Sequence, residues 1–292
     1  MAPSARAAGA LTLTDDMGRQ VSLPAPAAGS AAPQRIVSLA PSATEILFAL
    51  GLGPEVVGVD EYSNYPAAAS KLPKVGGFST PSIEKIAALK PTLVLGTNLH
   101  AKFLPQFDQL HIPVLLLNPP DVSGILHDIQ IVGRATGTTA AANQVVADIR
   151  SRLKRVQQKV EKIPASQRPW VYYEVWSDPL MTAGPNSFIS QLITLAGGRN
   201  IAFDAKGDYP VISPENIIER NPDVILFPLV HGSDALTVEK LKARPGWEKI
   251  SAVKAGRVFG IDADLISRPG PRVALAVEEL SRLILPETGA SQ

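Results

Sequence analysis

Residues 78–100 read FSTPSIEKIAALKPTLVLGTNLH, and residues 209–231 repeat their outline as YPVISPENIIERNPDVILFPLVH. Both stretches carry an aromatic residue, an acid, an apolar run, a proline and a histidine at matching places. A constant offset of 131 residues separates the pairs Phe78 and Tyr209, Glu84 and Glu215, Ile86 and Ile217, Pro91 and Pro222, Val94 and Ile225, Leu95 and Leu226, His100 and His231. We therefore predict two related lobes that present the same elements on opposite walls of one cleft, a layout that suits a binding protein.

Length and composition narrow the class of protein. A chain of 292 residues is long enough for roughly two domains of about 150 residues each. Its net charge of +1 supplies no bulk attraction to nucleic acid or to an anionic membrane surface. Because none of these 292 residues is a cysteine, they exclude disulfides, thiol catalysis, Cys-ligated zinc and lipid attachment to a cysteine within the given sequence. No apolar run reaches about 18 residues, so we expect no membrane-spanning segment.

The N-terminus, Met1 to Ala10, is rich in alanine and lacks the apolar core of a signal peptide. We expect it to be what remains where a start codon has replaced a leader, so that the natural protein is exported. A cytoplasmic protein with a frayed N-terminus is the alternative.

Short β-rich runs alternate with helical stretches along most of the chain, after a predicted hairpin at Leu11 to Leu23. This alternation predicts an α/β fold: two Rossmann-like lobes with mostly parallel central sheets. Residues 139–163 carry an apolar stripe at helical spacing and predict one long helix between the lobes. The predicted domains are an N-terminal lobe at 11–137, an interlobe helix at 138–163 and a C-terminal lobe at 164–288. The predicted strands are 36–39, 56–59, 93–96, 114–117, 170–175, 224–226 and 258–261, and the other helices lie near 44–50, 83–89, 122–135, 187–196, 214–220 and 271–285.

Loops that follow the carboxyl ends of parallel strands line the ligand crevice in such folds. This rule selects residues after six of the predicted strands, and the aromatic residues of the repeat join them on facing rims. Each aromatic residue alone is better explained by packing, but together they suit a broad, flat, partly apolar ligand. The predicted ligand-binding residues are Ser42, Tyr62, Phe78, Thr97, Trp176, Met181, Tyr209, Asp264 and Arg268.

Glu84 and Glu215 occupy the first turns of repeated helices, behind the predicted N-caps Ser82 and Ser213. A carboxylate there is stabilised by the helix dipole without any partner. As a symmetric pair, however, the two glutamates suit arginines on a dimeric protein.

The chain resembles the substrate-binding proteins of bacterial importers for iron-siderophores, haem and cobalamin, and within that family its cobalamin-binding members. The resemblance covers Arg35 to Leu285 and is carried by the stretches VSLAPSATE at 37–45, YSNYP at 62–66, EKIAALKP at 84–91 and RPGPR at 268–272. It implies a periplasmic or membrane-tethered lipoprotein, expected to be a monomer, that holds a corrinoid between its lobes. It also implies that Glu84 and Glu215 dock onto an ABC permease dimer. The chain departs from the cobalamin-binding pattern at several aromatic positions: Phe78, Thr97 and Tyr209 stand where tryptophan is expected, and Trp176 stands where glycine is expected.

The ligand has an open alternative. His100 and His231 follow strands in opposite lobes, where a haem-binding relative could place an axial ligand; a histidine that coordinates the cobalt of a corrinoid from above the ring is a further possibility. Two histidines are too few for a small-metal site, so we predict no metal centre and no cofactor. The ligand is thus predicted to be cobalamin or a related corrinoid, with haem or a siderophore as the alternative. No nucleophile, zinc-protease, P-loop or dinucleotide motif is present, so we predict that the protein is not an enzyme.

Overall fold

The computed structural model describes residues 10–24, 34–229 and 236–285. The chain divides into two units, residues 1–148 and 149–292, and each carries its own mostly parallel sheet with helices. This confirms the predicted α/β class, whereas the proposed domain limits at 137, 163 and 288 stay predictions. Among the described residues, the helices include none with the length and hydrophobicity that a membrane span needs.

The sheet of the first unit has four parallel strands, and their order across the sheet is β4 (Val56–Val59), β3 (Ile36–Ser38), β7 (Leu93–Gly96) and β8 (Val114–Leu116). Its central strands are buried along their whole length, as expected where helices cover both faces. Between β4 and β7 the chain forms a short hairpin of β5 (Gly76–Gly77) and β6 (Thr80–Pro81). Its helices are α1 (Pro41–Ala49), α2 (Ile83–Ala88), α3 (Leu104–Gln109) and α4 (Val122–Thr136).

The predicted N-terminal hairpin is present as β1 (Ala10–Thr14) and β2 (Gln20–Pro24). Its turn docks on the end of β8, where the Asp16 carboxylate accepts a hydrogen bond from the backbone N–H of Asn118 at 2.6 Å. Asp16 also faces Asp128 of α4, a carboxyl group that is almost fully buried. Burial, followed by the charge of Asp16 and a hydrogen bond to it, raises the pKa of Asp128 to about 9, so this carboxyl group holds its proton at neutral pH.

The predicted long helix is α5 (Thr139–Val160), and the boundary between the units falls within it, after Asp148. Its buried residues, among them Val146, Ile149 and Val156, follow the helical stripe of the sequence. At 1.5 Å per residue the helix is about 33 Å long.

The second unit repeats the topology of the first. Its parallel strands run β11-β9-β12-β13, and the short β10 pairs with β9 in the antiparallel sense. The strands are β9 (Trp170–Ser177), β10 (Leu180–Thr182), β11 (Arg199–Asn200), β12 (Val224–Leu229) and β13 (Val258–Asp262). The helices are α6 (Phe188–Leu195), α7 (Pro214–Arg220), α8 (Val238–Lys242), α9 (Ser251–Lys254), α10 (Ala263–Ser267) and α11 (Val273–Ile284).

The repeat seen in the sequence is a repeat of structure. Helices α2 and α7 begin 131 residues apart, and so do strands β7 and β12. Lys90 and Asn221, also 131 residues apart, both adopt positive φ angles, of 48° and 45°. The repeated apolar residues are fully buried in both units: Ile86 and Ile217, Val94 and Ile225, Leu95 and Leu226. The apolar pattern repeats because each copy builds the same core.

Three local predictions need correction. Helix α1 begins at Pro41, where we predicted Thr44, because proline is favoured in the first turn; Ser42 therefore lies in a helix and not in a loop. Asp264 and Arg268, predicted in a loop, belong to α10 and its C-cap, since the Asp262 side chain caps this helix. Trp176 and Met181, predicted in a loop, belong to the paired strands β9 and β10, because the chain turns back on itself after Ser177; neither β10 nor the β5–β6 hairpin was predicted.

Candidate functional site

Three predicted residues of the first unit lie at one edge of its sheet. Ser42, Tyr62 and Thr97 follow the carboxyl ends of β3, β4 and β7, which are neighbours in the sheet. Tyr62 is 62% exposed although it is a large aromatic residue. An exposed ring at this edge is available to a ligand.

Phe78 is brought to the same edge by the β5–β6 hairpin. The Gly76 carbonyl accepts a hydrogen bond from the backbone N–H of Glu61, which ties the hairpin to the loop that carries Tyr62. Gly76 has a φ of 121°, and a Cβ there would meet the Thr80 carbonyl oxygen at 2.6 Å. The hairpin therefore requires glycine at this position.

His100 is fully buried between the hairpin and the end of β7. Its Nδ1 accepts a hydrogen bond from the Thr97 backbone N–H at 2.9 Å, and its Nε2 donates to the Phe78 carbonyl at 2.8 Å. Burial lowers the pKa of His100, outweighing these hydrogen bonds, so the ring is neutral at pH 7. Because both nitrogens are bonded to protein atoms, the predicted axial role does not fit His100; His231 lies outside the described residues.

Strand β10 brings together three predicted residues of the second unit. Met181 is the register partner of Trp176 on β9 and also forms a β-bridge with Val211. The segment that carries Tyr209 therefore runs beside β10, and backbone hydrogen bonds from Thr182 to Pro210 and from Gly184 to Asp208 hold it there. Trp176 is 62% exposed and Tyr209 is 45% exposed.

Asp264 and Arg268 follow the carboxyl end of β13 and form an ion pair with an Nη2 to Oδ2 distance of 2.7 Å. The Arg268 side chain is 11% exposed and that of Asp264 is 42% exposed. The aspartate is therefore the more accessible of the two, while the arginine orients it.

Both glutamates of the repeat are exposed in the first turns of their helices. The predicted N-caps are present, since Ser82 and Ser213 accept hydrogen bonds from the backbone N–H groups of Lys85 and Asn216. The two carboxylates are therefore accessible to a partner protein.

Sequence reasoning missed several apolar side chains at these strand ends. Tyr65 and Leu99 are exposed in the first unit, and Val211 and Leu229 in the second. Each lies within three residues of a predicted ligand or axial residue, and Leu99 and Leu229 belong to loops, 97–100 and 228–231, that the strand-end rule itself selects.

A different surface of the first unit holds a groove of about 580 Å³, lined by Thr92, Asp108, His111 and Pro113 among others. Thr92 and Pro113 precede β7 and β8, so the groove lies at the end of the sheet opposite to the predicted ligand residues. Among the described residues, no group of three or more His, Asp or Glu side chains is placed to hold a metal ion.

Residues 36–265 match the family described as periplasmic binding protein. The uncharacterized ABC transporter substrate-binding lipoprotein YvrC of Bacillus subtilis is 38% identical over 262 residues, which cover 88% of this chain and 81% of that protein. A vitamin B12-binding protein of Vibrio cholerae is 31% identical over 250 residues, covering 85% of this chain and 87% of that protein.

Among solved structures, the periplasmic heme-binding protein RhuT from Roseiflexus sp. RS-1 superposes with a TM-score of 0.76 at 29% identity. The match covers 86% of this chain and 97% of that one. The chain therefore belongs to the periplasmic binding protein family, whose members are substrate-binding proteins of ABC transporters and not enzymes.

Proposed function

We propose that this protein captures cobalamin or a related corrinoid and delivers it to an ABC permease. The observation that carries the proposal is the set of exposed rings at the carboxyl ends of both sheets: Tyr62 in the first unit, and Trp176 and Tyr209 in the second. Such rings offer flat apolar area at low entropic cost, which suits a large planar macrocycle. The similarity to vitamin B12-binding proteins supports a corrinoid.

The polar contacts in this proposal come from Asp264 and Arg268, together with Ser42 and Thr97. A corrinoid carries amide side chains around its ring, and an accessible carboxylate oriented by an arginine accepts hydrogen bonds from amide N–H groups. Met181 adds a polarisable apolar contact beside Trp176.

Haem is the second candidate, because the superposed RhuT structure is of a heme-binding protein. Haem would use the same aromatic rings. Its iron would need an axial ligand, for which His231 remains the histidine candidate and for which the exposed Tyr62 and Tyr209 carry suitable phenol groups.

Parallel titrations with cyanocobalamin and hemin, followed by calorimetry and absorption spectroscopy, test the two candidates. Binding heat with cyanocobalamin and none with hemin supports the corrinoid. A Soret shift with hemin, lost in a His231→Ala or tyrosine variant, with no heat from cyanocobalamin, would transfer the proposal to haem. If neither ligand binds, both candidates fail.

We further propose that Glu84 and Glu215 dock the protein onto the permease dimer. Both carboxylates are exposed and repeat at the same place in the two units, and a two-fold partner presents matching arginines to such a pair. The docked protein works outside the cytoplasmic membrane, in the periplasm or tethered there as a lipoprotein, and acts as a monomer.

A further inference from the structure

The hairpin that carries Phe78 is too small to hold its own conformation. Its strands are two residues each, paired Gly76 to Pro81 and Gly77 to Thr80, and Phe78 lies at the tip. Isolated hairpins of this size are unstable in water. The orientation of the Phe78 ring therefore depends on groups outside the hairpin.

His100 supplies the contact at the tip. Its Nε2 donates to the Phe78 carbonyl at 2.8 Å, and the two rings meet edge to face with centroids 5.7 Å apart and an angle of 87° between their planes. On its other side, Nδ1 accepts from the Thr97 backbone N–H at 2.9 Å. One imidazole thus links the end of β7 to the aromatic tip.

The surrounding chain is shaped for this ring. A Cβ on Gly96 would lie 3.2 Å from the His100 Cβ, Cγ and Nδ1 atoms, so the absence of a side chain there leaves space for the imidazole. Thr97 is the N-cap residue of a short 3-10 helix, Asn98–Phe103, that carries His100, and the His100 side chain reaches back to accept from the Thr97 backbone N–H.

We propose that His100 is a positioning residue for ligand binding: as a neutral imidazole it holds Phe78 in the orientation that meets the ligand. The inference rests on the proposed function and deepens it, because it makes the affinity of the first unit depend on pH. The Thr97 backbone N–H can only donate and the Phe78 carbonyl can only accept. Only the neutral ring can therefore satisfy both, because a protonated ring has no nitrogen left to accept.

The charges near His100 oppose each other. Asp60 favours the protonated ring, Lys102 disfavours it, and burial is the largest influence, lowering the pKa. Asp60 is itself buried and is held by the Ser63 hydroxyl and the Tyr62 backbone N–H, while Lys74 donates to its carbonyl oxygen. Protonation therefore occurs only below the ordinary histidine range of about 6.5, and we expect ligand affinity to fall there.

Two substitutions test the two ring nitrogens of His100 one at a time. His100→Gln places an amide near the position of Nε2 and can still donate to the Phe78 carbonyl, whereas His100→Asn reaches only the position of Nδ1. We expect cyanocobalamin or hemin, whichever binds, to bind about three-fold more weakly to His100→Gln and about ten-fold more weakly to His100→Asn at pH 7.5. Both variants should lose the acid-dependent fall in affinity that the wild type shows. His127→Gln, on an exposed position of α4, is the matched control and should change nothing.

A double-mutant cycle with Phe78→Ala distinguishes positioning from general destabilisation. If His100 acts through Phe78, the His100→Asn loss disappears in the Phe78→Ala background. Equal losses in both backgrounds, or an unchanged pH profile in His100→Asn, would overturn the inference while leaving the proposed function intact. If the wild type binds neither ligand, the proposed function fails. The positioning role of His100 is then tested by NMR of the Phe78 ring, and it is wrong if the ring signals do not shift as His100 is protonated.

Discussion

The two units build the same sheet but support their aromatic residues in different ways. In the first, a side chain holds the Phe78 tip, through the two nitrogens of buried His100. In the second, backbone hydrogen bonds along β10 hold the segment of Tyr209. The repeat therefore preserves the core and the strand starts, and among the described residues Phe78 and Tyr209 differ in the groups that contact them.

The two units also differ in the partner of a buried carboxyl group. In the second unit, fully buried Glu174 is neutralised by Arg244 through two hydrogen bonds of 2.6 and 2.7 Å, and the Ser177 hydroxyl also donates to it. In the first, Asp128 is buried against another acid, Asp16, and one of its oxygens has no hydrogen-bond partner. We therefore expect the first unit to respond to pH in the neutral range and the second to resist it.

The largest effect should come from the feature that the units share. Glu84→Ala with Glu215→Ala should lower uptake of the ligand by about a hundredfold or more, since both proposed ion pairs with the permease are lost. Ligand affinity should stay unchanged, because these carboxylates lie outside the predicted ligand set. Transport into vesicles that contain the permease, measured beside calorimetry, checks both statements.

Exposed acids elsewhere provide the control for this pair. Asp108→Ala with Glu219→Ala removes one exposed carboxylate from each unit, the second on the same helix as Glu215. Transport should be normal in this variant. Full uptake by the double variant Glu84→Ala with Glu215→Ala would end the docking proposal. If the two single variants differ in uptake, the two units contribute unequally to docking.

Replacing the rings should weaken binding in both units. We expect Phe78→Ala and Tyr209→Ala to cost about tenfold each in affinity and about a hundredfold together, since each removes apolar area from the proposed contact. Isothermal titration with cyanocobalamin and with hemin measures the loss.

Two variants sharpen this comparison of the rings. Tyr209→Phe should bind normally if only the ring face matters. Phe203→Ala removes an exposed ring of the second unit that packs at a tilt against Trp170 at the start of β9, and it should leave affinity unchanged. Wild-type affinity in the Phe78 and Tyr209 double variant would mean that the rings do not meet the ligand.

The ion pair of the second unit should have the larger effect on stability. Arg244→Met leaves the Glu174 carboxylate buried without its cation, and we expect unfolding to be easier by about 3 to 5 kcal/mol. Adding Glu174→Gln should recover much of this loss because the remaining group is neutral. Denaturant unfolding at pH 7 measures the stability of both variants. An Arg244→Met variant as stable as the wild type would refute the claim that Arg244 compensates the buried charge of Glu174.

The smallest effect should appear at Asp128 in the first unit. Its pKa of about 9 lies far above the ordinary aspartate value of 3.8, so the folded state keeps a proton that the unfolded state releases. This contribution to stability is complete below pH 4 and is lost as the pH rises toward 9.

Asp128→Asn keeps a neutral group of the same size and removes this pH dependence. We expect it to raise the free energy of unfolding by about 1 to 3 kcal/mol at pH 8 and to make little difference at pH 4. Thermal unfolding scans across this range measure the change. A constant difference between the two proteins at every pH would contradict the proton-holding role of Asp128.

Much of the fold follows from local pattern. The buried runs of β3, β7 and β12 and the stripe of α5 are visible as apolar spacing, and the caps Ser82 and Ser213 are visible as residue types. The site was less accessible to this reasoning. The ends of the predicted strands placed Tyr62 after β4, as the structure has it, whereas Trp176, predicted in a loop, lies within β9. The strands of the β5–β6 hairpin have two residues each, too few for an alternating apolar pattern to be recognised.

The sequence alone was sufficient for the α/β class and its duplication, because hydrophobic spacing and capping depend on residues within a few positions of one another. Three-dimensional packing was needed to turn His100 from a loop histidine into a buried link to Phe78, and to join Asp16 to Asp128. Those partners are 22 and 112 positions apart in the chain, and no local pattern states which distant groups will share a low-dielectric environment. Residues that are distant in the sequence but packed together in the fold therefore decide which side chains are buried, and burial in turn decides their protonation and their role.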